Sequence, residues 1–287
     1  IRDEWNKIQG RFVDLPINVS AEEQINLMAY SLSYDQRNWI NNDQNSSIYN
    51  FIKELKEKNG WLSENNLQKL FPLNPISAFL ISAISKRSFA QNQRTIFGFL
   101  NSVEPFGFKS LFEKNKHEND FNYSPDCLWD YLSSNLDTSI VHSNDSHNWI
   151  SACEILVRGE KILDSLPFKI LKTISLIQIF GSRSIIRSTK ENLYASFPFH
   201  DPIEIDKCLT ALLEKQFILF REVTKTFNIT EASDFDLEVK LKSYIENVDI
   251  SDNETLSKII ELKPIIGKRH YIETGNFRFL PVSIKEI

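Results

Sequence analysis

Three side chains between residues 87 and 94 have the types and the spacing to hold an anion. Arg87, Gln91 and Arg94 stand at i, i+4 and i+7, so a continuous helix would put them on one face. A guanidinium is always charged and presents a planar fork of donors, which suits phosphate oxygens. Arg11, between Gly10 and the apolar Phe12-Val13, is a further candidate for a phosphate or subunit contact. The competing assignment pairs Arg87 and Arg94 with carboxylates such as Glu104 or leaves them in solvent, and makes Arg11 a solvated turn residue. Phe89, Phe97 and Phe99 are read as packing.

Other chemistries find little material. The chain contains no GxxxxGK[ST] phosphate loop, no GxGxxG, no HExxH and no GxSxG. This argues against an autonomous enzyme of those classes, and no catalysis is expected from this chain alone. His142 and His147 flank Asp145 in a polar stretch that reads as a solvated loop, because imidazoles on such a loop lack the supporting shell of a metal site. No metal is expected. Cys127, Cys153 and Cys208 are odd in number and widely spaced, with no CxxC pair. They read as buried free thiols in a reducing compartment.

The elements that must position these groups are mostly helical. Ser20-Ala21-Glu22-Glu23 is a capping box before an apolar stripe of Ile25, Leu27, Met28 and Leu32. Helical spacing runs from Ser47 to Lys58, from Pro75 through Ile84, and from about Gln93 to Leu100. After a polar stretch at 113–125, Pro125-Asp126 begins another helix, and Trp149 to about Leu163 a further one. Beyond residue 236 we expect helices at Leu237 to Asn247 and Glu254 to about Ile266. A strand follows at Phe277 to Ile284, whose partners would belong to a further domain.

Between Pro167 and Asp234 the order of elements is distinctive. Helices are expected over Phe168–Phe180 and Thr189–Ser196, and a third opens at Asp201-Pro202, an N-cap followed by proline at the first helical position. Strands at 218–223 and 226–229 follow, the pattern of a winged helix. Recognition helices of that class enter the major groove. Here, however, Asp201, Glu204, Asp206 and Glu214 outnumber Lys207 and Lys215 on the third helix, a balance that phosphates repel. Arg183, Arg187 and Lys190 before and at the second helix, with Arg221 and Lys225 on the wing, remain candidates for backbone contact without sequence readout. A structural or protein-docking role is favoured over nucleic acid.

Of 287 residues, 41% are hydrophobic and 25% charged, with 21 Phe against 8 Gly. That is the balance of a globular protein with a well-filled core, and it excludes disorder as the main state. A formal charge of -5 gives no global attraction to nucleic acid or an anionic membrane. No stretch approaches the roughly 20 apolar residues of a membrane span, and a cytoplasmic location is expected. The chain begins Ile1-Arg2-Asp3 and its one Met is Met28, so we expect a piece of a longer polypeptide.

The segment from Leu73-Asn74-Pro75 through Ser88-Phe89-Ala90-Gln91-Asn92-Gln93-Arg94-Thr95 to Leu100 resembles the helical lid of large bacterial P-loop ATPases of the AAA+/STAND type, many of them linked to phage defence. Asp3 to Phe12 resembles the end of the preceding core, and Tyr271 to Phe279 the beginning of a following domain. The sequence departs from the family at Asn74, where His is expected, and at Gln93, where Glu is expected. The resemblance implies a mainly α fold: a lid-like domain over 1–124, a winged-helix domain with preceding helices over 125–236, and a connector with the start of a further domain over 237–287. It implies ATP with Mg bound by an N-terminal core preceding this chain, sensed by Arg94, Arg87 and Arg11. It also implies assembly through a homo-oligomer or an effector protein. The alternative is a winged-helix nucleic-acid-binding protein.

Overall fold

A computed structural model describes residues 19–32, 46–58, 64–87, 96–115, 121–181 and 184–230, and in the C-terminal part 264–267, 270, 275–276 and 278–282. The fold is mainly α. Two compact units divide the chain, Ile1–Ala232 and Ser233–Ile287. Arg11, Arg94, Arg183 and the helices expected between 237 and 263 lie outside the described residues.

In the first unit the expected capping box forms reciprocally. The Ser20 N–H donates to Glu23 Oε2 at 2.8 Å and the Glu23 N–H to Ser20 Oγ at 3.1 Å. It opens α1 (Ala21–Leu32), followed by α2 (Ser46–Lys58) and the short α3 (Glu64–Gln68). Next comes α4 (Pro75–Ser85), buried on every side from Pro75 to Ile84. A helix apolar all round has to lie inside, and α4 is the hub: it packs against α1, against α5 (Ile96–Leu100) and against three later helices. A short α6 (Phe108–Lys114) closes this part.

The later helices are α7 (Pro125–Asn135), α8 (Asp137–Val141), α9 (Ser146–Glu160), α10 (Ser165–Phe180), α11 (Lys190–Ser196) and α12 (Pro202–Glu214). Trp129 of α7 stacks on Trp149 of α9 with ring centroids 4.4 Å apart, and Phe180 of α10 lies 6.5 Å from Trp149. Helix α10 begins three residues before the expected Phe168, at Ser165, which places Pro167 in the first turn. Proline is tolerated there because its missing N–H would have no intrahelical partner anyway. Asp201 caps α12 as expected, accepting from the Ile203 N–H at 2.9 Å.

A left-handed Gln216 (φ 57°) ends α12, with the Phe217 N–H returning to the Leu212 carbonyl and the Gln216 N–H to Leu213. This is a Schellman closure without its usual glycine. Strands β1 (Ile218–Arg221) and β2 (Thr226–Ile229) then pair antiparallel, Ile218 opposite Ile229 and Phe220 opposite Phe227. The extended chain before α11 joins this hairpin: the Phe227 N–H donates to the Ser188 carbonyl at 2.9 Å, and Ser188 Oγ donates to the Phe227 carbonyl.

The second unit corrects one expectation. The C-terminal strand, β4 (Phe279–Leu280), pairs with β3 (Ile265–Ile266) of this same chain, Ile265 opposite Leu280. Residues 265–266 thus leave the helical pattern in which we placed them. Ile265 and Ile266 are β-branched, and such residues fit a pleated strand.

Candidate functional site

Helix α4 ends at Ser85, close to the expected Ile84 and before Arg87. Lys86 is its C-cap, and the Arg87 N–H returns to the Ile84 carbonyl at 2.8 Å. Arg87 therefore lies just past the end of α4, and Gln91 and Arg94 lie outside the described residues. The Arg87 guanidinium turns inward. Arg87 Nη1 lies 3.1 Å from Asp145 Oδ1, both side chains about nine-tenths covered at 9% and 12% exposure. Nη2 donates to the Ile179 carbonyl at 3.5 Å, and the charge sits 5.7 Å from the Phe180 ring centre.

Asp145 is held for this contact. It is the N-cap residue of α9, its carbonyl accepts from the Trp149 N–H, and its own N–H donates to Ser143 Oγ at 3.2 Å. Hence Asp145 is not the solvated loop residue that the sequence suggested. Removing Arg87 to meet an external phosphate would strand a buried carboxylate, an expensive step. Arg87 is a joint between the end of α4, the start of α9 and the end of α10.

A second buried polar tie lies at the other end of α4. Asn74 is fully buried. Its Oδ1 caps α4 by accepting from the Ile76 N–H at 2.9 Å, and its Nδ2 donates to the carbonyls of Ala195 at 2.8 Å and Ser196 at 3.3 Å. Asn122 Nδ2 adds a donor to Ser196 at 3.1 Å. One amide thus satisfies a free N–H at the start of α4 and free carbonyls at the end of α11. A neutral imidazole at this position would have one donor fewer to offer. Tyr123 completes the tie: its carbonyl accepts from Asn74 N–H and Ser77 Oγ, and its hydroxyl donates to the Phe106 carbonyl at 2.9 Å. Burial holds its phenol pKa well above the ordinary value.

The described basic side chains of the α10–β2 region have varied surroundings. Arg187 Nη1 donates to the Gly181 carbonyl at 2.9 Å, at the end of α10. Lys190 pairs with Asp206 at 2.9 Å, and Tyr194 donates to the same carboxylate at 2.7 Å. Burial alone would raise the Asp206 pKa, but these hydrogen bonds outweigh it and hold the acid below its usual range. Lys225 pairs with Glu222 at 2.7 Å and lies 5.8 Å from the Phe220 ring centre. Arg221 stands exposed at the end of β1. Of the described candidates, Lys190 and Lys225 are thus paired with carboxylates, while Arg187 is held by a carbonyl and Arg221 is exposed.

Comparison with family models, with curated proteins and with solved structures finds no match to this chain. Its own geometry must carry any functional reading. Among the described residues no group of three or more His, Cys, Asp or Glu is placed to hold a metal ion, and no helix is long and apolar enough to cross a membrane. His142 Nδ1 lies 2.7 Å from the Thr138 carbonyl. Burial pushes the Cys127 thiol up to about 12 and Cys153 up to about 11, so both stay protonated and poorly nucleophilic near neutrality. The sequence signals that were available are Asn74-Pro75, an N-cap with proline behind it, and Asp145 ahead of Trp149. Each marks a helix start, but neither reveals its distant partner.

Proposed function

We propose that this chain is the control arm of a nucleotide-switched P-loop ATPase of the AAA+/STAND type: a helical lid joined to a winged helix, acting through protein contacts in the cytoplasm, in bacterial antiviral defence. The observation that supports a lever is the pair of buried ties, Asn74 to the end of α11 and Arg87 to the Ile179 carbonyl of α10, which join the α4 layer to the three-helix-and-hairpin region. A lever of this kind can transmit a small rotation, because close-packed parts move together. Arg94, with Arg11 in support, is the residue that would meet the terminal phosphates held by the preceding core. Arg87, committed to its pair with Asp145, is assigned the positioning of the lever.

The test is Arg94→Ala in the complete protein. It should weaken triphosphate binding or uncouple it from assembly, with the melting curve unchanged. Unaltered nucleotide affinity and assembly would remove the assignment. Nucleic-acid binding predicts a different result: duplex affinity of the chain falling steeply and linearly on a log–log plot against salt. The internal pairing of Lys190 and Lys225 argues against that outcome.

A further inference from the structure

Helix α9 carries two apolar stripes and needs only one to fold. Trp149, Ala152, Ile155, Leu156 and Gly159 are buried against its neighbours. On another side Ile150, Cys153 and Val157, at i, i+3 and i+7, line an open groove of about 440 Å³ together with Val141 of α8. Ile150 is 44% exposed and Val157 58%. The only charged side chains lining the groove are Asp137 and Glu154, both acidic. Asp137 is fixed by the Trp149 indole, which donates to its Oδ1 at 2.7 Å. The nearby cation on α9, Arg158, is turned to the Phe217 ring at 4.9 Å and does not line the groove.

We propose that this groove docks an amphipathic helix of a partner protein whose apolar stripe is flanked by lysine or arginine. A helix face with apolar residues at i, i+3 and i+7 complements the stripe. A groove whose charges are all carboxylates selects basic flanks and rejects acidic ones. The Cys153 thiol, protonated near neutrality, keeps the floor uncharged. This deepens the docking half of the proposed function and rests on it.

The experiment titrates the 287-residue chain against two designed helical peptides that share a leucine stripe and carry either lysine or glutamate flanks. The lysine peptide should bind about tenfold tighter or better. Ile150→Asp should weaken it by about tenfold with the melting temperature unchanged, and Glu154→Lys should shift the preference toward the glutamate peptide. Equal binding of both peptides, no binding, or binding that survives Ile150→Asp would overturn the proposal. Self-association of the chain that Ile150→Asp abolishes would overturn it too, by making a second copy the occupant. The titration contains no nucleotide, so its failure leaves the Arg94 test standing.

Discussion

The charge pair at the C-terminal end of α4 and the charge pairs on the α11–β2 surface look alike in sequence and differ in physical consequence. Arg87 and Asp145 meet where both are almost fully covered, while Lys190 and Asp206 meet with side chains 48% and 43% exposed. Breaking a buried pair leaves one ion without water or partner, whereas breaking an exposed one returns both to solvent. The buried pair therefore fixes architecture, and the exposed pairs mainly neutralise a surface.

The largest effect should come from Arg87→Ala, which strands Asp145: a loss of about 3–5 kcal/mol in denaturant unfolding. A double-mutant cycle with Asp145→Ala should show strong coupling, with the double variant less damaged than the sum of the singles. Asn74→Ala comes next. It removes the cap of α4 and the donors to Ala195 and Ser196, and should cost about 2 kcal/mol in the same measurement.

Asp126 sharpens the contrast, since it is 4% exposed and accepts from Ser124 Oγ, but has no ion pair like that of Asp145. Burial raises its pKa above the ordinary 3.8, with the Ser124 bond offsetting part of this. Its contribution to stability is full below that ordinary value and is lost as pH rises through the folded-state value. Asp126→Asn should thus gain on the wild type as pH climbs from below 3.8 to neutrality, seen in melts across that range. The smallest effects belong to Lys190→Ala and Lys225→Ala, each within about 0.5 kcal/mol. A larger loss at either would break the comparison.

Local signals in the sequence located most elements. The capping box at Ser20 and the Asp201-Pro202 start of α12 sit in stretches of a few residues, where short-range chemistry decides, and the order of three helices before a hairpin is a string of such local signals. What escaped were contacts across long separations. Asn74 finds Ala195 more than a hundred positions away, and Arg87 finds Asp145 only because α4 stops at Ser85 and α9 starts at Ser146. Spacing placed Arg87 on a face with Gln91 and Arg94, which lie outside the described residues; its partner Asp145 gave no sign in that spacing. The strand partner of β4 was missed for a related reason, as two β-branched residues carry too short a pattern to announce a strand.

The central claim is that the α4 layer and the three-helix-and-hairpin region behave as one body. Native-state hydrogen exchange tests it most directly, because amides of one cooperative unit open with one free energy. Amides of α4 at 79–84 and of α10 at 174–179 should show the same opening free energy, and Arg87→Ala should lower both equally. Opening of α4 at a clearly lower free energy, with Arg87→Ala shifting α4 and leaving α10 unchanged, would contradict the account.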